Sequence, residues 1–280
     1  MSSFYRKAAI PVATILTTIF TQFPAHSNLV NGESKDRNQQ NHEQVLVSSI
    51  VNFEPPSDNG DPNSTAAGGS RSSCPQRNNP QINTQQQNEA LPLTALLPKT
   101  TNEWLTIKQR PTFFVYVPAT SASNILFQLK DEQDKVVYQD VIEISAKTGK
   151  VVDIKLPNTA PSLEVDTKYQ WSVFLLCQYE SASQKQNIDS LQASYDLMNE
   201  PWVMANVTRI SPPTTLDTNL EQNLSIDLAI EYGKKGLWFE TLATLHQMIK
   251  NEPQQDQLQQ VWQQLLESQG IEQEIAQAQF

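Results

Sequence analysis

The sequence predicts a mainly β protein with a C-terminal α portion: an immunoglobulin/fibronectin-like antiparallel β-sandwich, then a small helical module, behind a long disordered N-terminal arm. Three observations predict it. Short apolar runs separated by turn residues recur from Leu91 to about Ser211. The apolar spacing becomes helical after Ser211-Pro212-Pro213. Residues 28–90 are dominated by Asn, Gln, Ser, Asp, Pro and Gly and show no period. Alternating runs with regular turns are the signature of a sandwich, and a polar, aperiodic stretch buries too little apolar surface to offset its ordering entropy.

The N-terminus comes first. Arg6 and Lys7 precede an apolar run from Ala8 to Phe20, and a polar stretch ends Ala25-His26-Ser27. This is the pattern of a secretory signal, assigned to residues 1–27. The apolar run falls short of the about 20 residues that span a bilayer. Without Arg6 and Lys7 the balance is 18 basic against 30 acidic residues, a net charge of -12. Such a chain repels phosphate backbones and anionic lipid heads, which argues against nucleic acid and membrane surfaces as partners, and with no second long apolar run no membrane insertion is expected after signal removal. The signal segment predicts an exported protein, in the periplasm or outside the cell.

The arm covers residues 28–90. Within it Val45–Phe53 (VLVSSIVNF) could pair transiently as a strand. The sandwich is assigned to 91–211. Its strands are read from LTALLP, EWLTI, TFFVYVP, SNILFQLK, KVVYQDVIEIS, KVVDIKLP, YQWSVFLLCQ and PWVMANVTRI, with Asp131–Asp134 as a hairpin turn and Ser181–Glu200 as a polar insertion. Leu163, Val165, Thr167, Tyr169, Trp171 and Val173 recur every second residue. Tyr169 takes the place of the tyrosine corner, whose hydroxyl bonds to upstream backbone. The same parity sends Trp171, Leu175 and Cys177 into the core. Phe174 and Leu176 lie on the opposite face, which the later helices could cover.

The helical module is assigned to 212–280. SIDLAIEYGKKG carries a Ser cap, and GLWFETLATLHQMIKNEP sets Trp238, Leu242, Leu245 and Ile249 on one stripe. A third helix near Asp256–Gln269 buries Leu258, Val261, Trp262, Leu265 and Leu266 and stops at Gly270. Leu228, Ala229, Tyr232, Gly236, Trp238, Leu242, Leu245 and Pro253 fall at the spacing of one tetratricopeptide-like repeat, with Thr241 where that motif prefers Ala. A single repeat does not stand alone, so the hairpin is expected to pack on the sandwich.

Cys74, LTALLP, RPTFFVYVP, FQLKDEQDKVVYQD, KYQWSVFLLC and GLWFETLATL, in this order, resemble a cyanobacterial family catalogued as domain of unknown function 928. The likeness covers about residues 70–270. It implies an exported protein of a Gram-negative envelope. It implies no known activity, so no functional residue transfers from it.

No metalloprotease, hydrolase, phosphate-loop or dithiol motif occurs, and no cofactor is expected. His26 lies in the signal segment, His42 in the arm, and His246 on what reads as the polar face of a helix. Asp131, Glu132 and Asp134, or Asp58, Asp61 and Asn63, could offer oxygens to calcium, but such residues are favoured in turns anyway. Trp171, Trp238 and Trp262 fit core stripes. Trp104 and Trp202 lie on strand entries and are the candidate contacts for a partner, although burial is the commoner fate of such rings.

The expected function is that of a non-catalytic exported envelope protein, an interaction or scaffold module binding another exported protein. A carbohydrate-binding sandwich is the alternative, and an envelope hydrolase a more distant one. The two cysteines, Cys74 and Cys177, are expected to bond. Export places them where thiols oxidise, the count is even, and Cys74 sits in a polar stretch with no core to hide a thiol.

Overall fold

The run Thr112-Phe-Phe-Val-Tyr-Val has no alternation, and every residue after Thr112 is buried. A strand buried on both faces needs a layer on each side, and two layers are found. The structure is a computed structural model that describes residues 51–56, 68–70, 74, 91–177, 197–217 and 219–280. All belong to one compact unit, His42–Phe280. The signal segment, the 181–196 part of the insertion and the Asp58, Asp61 and Asn63 cluster lie outside the described residues.

Among the described residues nine strands run in chain order: β1 (Gly68–Ser70), β2 (Thr94–Ala95), β3 (Leu105–Thr106), β4 (Thr112–Val117), β5 (Asn124–Lys130), β6 (Val136–Glu143), β7 (Lys150–Lys155), β8 (Thr167–Leu175) and β9 (Trp202–Arg209). The larger sheet has the order β1-β9-β8-β5-β6, and β3 also joins β9. The smaller has the order β2-β4-β7. Pairing is antiparallel except at β3, which lies parallel to β9 with Leu105 opposite Thr208. LTALLP and EWLTI yield only two paired residues each, and β1 forms in a Gly-rich stretch that carries no strand signal.

The sheets meet through large rings. Phe113 of β4 lies 5.2 Å from Phe127 of β5 and 5.0 Å from Trp171 of β8, centroid to centroid. In β8 the parity holds, with Tyr169, Trp171, Val173 and Leu175 all in the main core. In β9, Val203, Ala205 and Val207 are buried and their neighbours are not.

Four helices follow: α1 (Ile226–Lys234), α2 (Trp238–Asn251), α3 (Asp256–Ser268) and α4 (Gln273–Ala276). Ser225 caps α1, its hydroxyl accepting from the Leu228 N–H. α1 and α3 stop by one device. Gly236 and Gly270 have φ of 68° and 82°. The next residue's N–H reaches back to Tyr232 in the first case and Leu266 in the second, and buried Leu237 and Ile271 close the turns. The helices lie on the smaller sheet: Phe114 meets His246 of α2 and Trp262 of α3 at 5.2 and 5.7 Å.

One expectation is corrected here. The outer face of β8 is not covered by the helices, which take the other sheet; Phe174 and Leu176 instead join Leu126 in a satellite cluster with Val141, Leu197 and Trp202. Within residues 28–90, Val51 and Phe53 at the end of the Val45–Phe53 run are buried, β1 pairs with β9, and Cys74 is buried.

Candidate functional site

Cys74 is bonded to Cys177 across 103 positions, with the Cα atoms 5.2 Å apart. Cys177 lies just past the end of β8, where the strand runs out of partners. Its N–H donates to the carboxylate of the buried Glu200 at 3.1 Å. The bond therefore joins the stretch between β1 and β2 to the end of β8, the longest of the described strands. Tyr169 sits at the other end of β8. Its hydroxyl accepts from the Glu164 N–H at 3.1 Å, and Arg209 donates to the Leu163 carbonyl at 2.7 Å across the same corner.

Trp104 is buried in the main core at 4% exposure, so it presents no ring to a partner. Neighbours on both sides of EWLTI close over it. Trp202 is half-buried against the satellite cluster. Among the described residues the exposed large hydrophobics are Val165, Leu224 and Phe280, and no tryptophan is among them. Trp104 therefore offers no ring to a flat sugar platform. The Asp131–Asp134 turn uses its charge internally: the Asp131 carboxylate accepts from the N–H groups of Gln133 and Lys135. Among the described residues no group of three or more His, Cys, Asp or Glu is placed to hold a metal ion.

Three polar side chains that the apolar stripes conceal lie where α1 and α2 meet the sheets. Glu240, in the first turn of α2, is 3% exposed. One of its oxygens accepts from the Thr106 hydroxyl at 2.5 Å, the Ile107 N–H at 2.9 Å and the Lys108 N–H at 3.2 Å. The other has no hydrogen-bond partner. Burial pushes this carboxyl above its ordinary range, against the pull of those donors. Nearby, Tyr232 of α1 donates to Glu221 at 2.8 Å, and Lys108 reaches the same carboxylate at 3.2 Å. Burial and then the Glu221 bond raise Tyr232, while the tyrosine hydroxyl first of all lowers Glu221.

His246 is buried, not on a polar face. Its ring lies 4.5 Å from Phe280 and 6.5 Å from Trp262. Helical spacing put it opposite the α2 stripe, but β4 and the chain's last residues wrap round that side. Burial lowers its pKa, opposed by the charge of Asp153.

Two cavities adjoin at this histidine. One, of about 510 Å³, is lined by Trp262 and Gln277–Phe280. The other, of about 400 Å³, is lined by Lys108, Arg110, Lys155, Tyr232 and Glu240. Both include Asp153, His246 and Lys250. They follow β7, the outer strand of its sheet. The free side of β7 is met by Gln279, whose carbonyl accepts from the Val151 N–H at 2.7 Å. The groove thus offers a strand edge, a buried imidazole and flanking charges of both signs, an arrangement suited to receiving an extended chain.

The model of the family described as Domain of Unknown Function (DUF928) matches residues 66–280. The chain belongs to the DUF928 family. No curated protein matches it. The DUF928 match contains both sheets, the bond between Cys74 and Cys177, and all four helices, while Val51–Pro56 lies outside it.

Proposed function

We propose that this DUF928 protein is an exported, non-catalytic component of a Gram-negative-type cell envelope that works by holding another protein chain, in the periplasm or outside the cell. We also read its sheets as an immunoglobulin/fibronectin-like sandwich and α1–α2 as one tetratricopeptide-like hairpin. The strand orders β2-β4-β7 and β9-β8-β5-β6, with Tyr169 entering β8, support the first of these readings. The Cys74–Cys177 bond is consistent with an oxidising compartment.

The observation that carries the binding role is the flank of β7. A sheet edge with open backbone groups pairs readily with an incoming strand. Here that edge already accepts one residue, Gln279, and runs on beside Asp153 and Lys155 into two adjoining cavities.

Photocrosslinking side chains placed at Lys155 and Lys250 in cells test the role. Both sites should give one discrete adduct with an exported protein, and a control at Glu132 in the distant hairpin turn should not. Adducts from all three positions alike, or from none, would overturn the reading.

A further inference from the structure

We propose that the corner between α1 and α2 is a peptide-recognition site, filled in this molecule by its own residues Val51–Pro56, and that it accepts from a partner protein an extended segment of the same chemistry: apolar, any residue, aromatic, any residue, proline. The inference deepens the chain-holding role by naming a second surface and what it reads.

The segment lies as a bound peptide does. Val51 and Phe53 are buried at 3% and 6% exposure, while Asn52 and Glu54 between and after them face solvent. The Phe53 ring stands edge-on to Trp238, centroids 5.1 Å apart at 76°. Trp238 is held in turn by its indole N–H, which donates to the Leu96 carbonyl at 2.7 Å. The Glu54 N–H donates to the Gly233 carbonyl at 3.0 Å. Pro55 and Pro56 follow; their fixed φ lowers the entropy lost on docking.

The socket is shaped for backbone. A Cβ on Gly233 would stand 2.2 Å from the Asn52 carbonyl oxygen. One on Gly236 would stand 3.0 Å from the Glu54 carbonyl oxygen and 3.2 Å from Pro56. Gly236 has a second reason to be glycine in its positive φ, but Gly233 lies inside α1, where glycine is a poorer helix former than alanine. The absent side chain leaves room for the passing chain.

The family match also separates socket from occupant. Gly233, Gly236 and Trp238 lie within the matched family residues, and Val51–Pro56 lies before them. A tethered segment is present at an effective concentration on the order of millimolar, so it fills a site of modest affinity and yields to a tighter binder.

The test uses the full-length, disulfide-bonded protein and a fluorescent peptide of residues 51–56. Phe53→Ala removes the internal anchor; Glu54→Pro removes the internal N–H donor and leaves both buried side chains in place, in case the first variant fails to fold. Anisotropy should show saturable binding to either variant and binding about tenfold weaker to the wild type, whose site is filled. Adding Gly233→Ala should abolish binding, as should replacing the peptide's phenylalanine by alanine. Folded variants that bind no peptide would overturn the proposal, as would equal binding to wild type and variants. A wild-type dimer that dissociates on adding the peptide would also overturn it, by making a second copy the occupant. The crosslinks at Lys155 and Lys250 read a different surface, so failure here leaves the β7 result standing, and the reverse.

Discussion

β4 and β9 hold comparable places, one inside each sheet, yet their surroundings are opposite. β4 lies between the larger sheet and the helices and buries all but its first residue. β9 buries every second residue, and its outer side has only the satellite cluster around Trp202. The smaller sheet is thus stabilised by packing on two faces. The larger depends on one packed face, on the Cys74–Cys177 bond and on side chain–backbone bonds at its corners. Neighbouring layers of one unit are thus held by different chemistry.

The largest effect is expected from the bond. Replacing both cysteines by serine should lower stability by up to about 4.7 kcal/mol, the chain-entropy figure for a closed loop of about 100 residues. Denaturant unfolding of the oxidised protein and the double variant measures it; an unchanged midpoint would mean the larger sheet does not need its staple. Next, Phe114→Ala should cost about 3–5 kcal/mol, since the hole opens between two layers. Trp202→Ala should cost about 2 kcal/mol, because that ring is already half in water. Equal losses would remove the distinction between the two sheets.

The third effect depends on pH. Glu240 ties α2 to the residues after β3, and its folded pKa is raised. Its favourable contribution is complete below the ordinary carboxylate range and is lost as pH rises through the folded value. Glu240→Gln carries no such titration. The wild type should therefore lose stability relative to the variant as pH rises above the ordinary carboxylate range. His246, whose lowered pKa acts in the opposite sense, is present in both proteins and drops out of the difference. A difference that stays flat with pH would show that Glu240 is charged throughout. The smallest effect is expected at Tyr169→Phe. Losing the bond to the Glu164 N–H should cost about 1 kcal/mol and speed amide exchange at Glu164.

Much of the fold was legible because periodicity reports burial directly. The alternation of Tyr169, Trp171, Val173 and Leu175 gave one face, Ser225 and Gly270 gave helix ends, and the solid apolar run of β4 is what two-sided burial looks like. The pairing of β3 parallel to β9, and of β1 beside it, was not legible, since two or three residues carry no period. Glu240 was hidden in an apolar stripe, where a charged residue looks like an interruption until Thr106 and Ile107 are brought to it. The docking of Phe53 was missed because its partner Trp238 had a sufficient explanation as a core residue. Gly233 was a usable signal: a glycine inside a helix asks what passes over it.

The distances in sequence between bonded partners have a kinetic consequence. Thr106 and Glu240 are 134 positions apart, Leu96 and Trp238 are 142, and the cysteines 103. The cysteines cannot meet before the end of β8 is made, and the other two contacts must wait for α2. Topologies built on such distant pairings fold slowly. A nascent chain of this protein would emerge with the ties from α2 to Thr106 and Leu96 still unmade, and for that interval the helix side of the smaller sheet stays open.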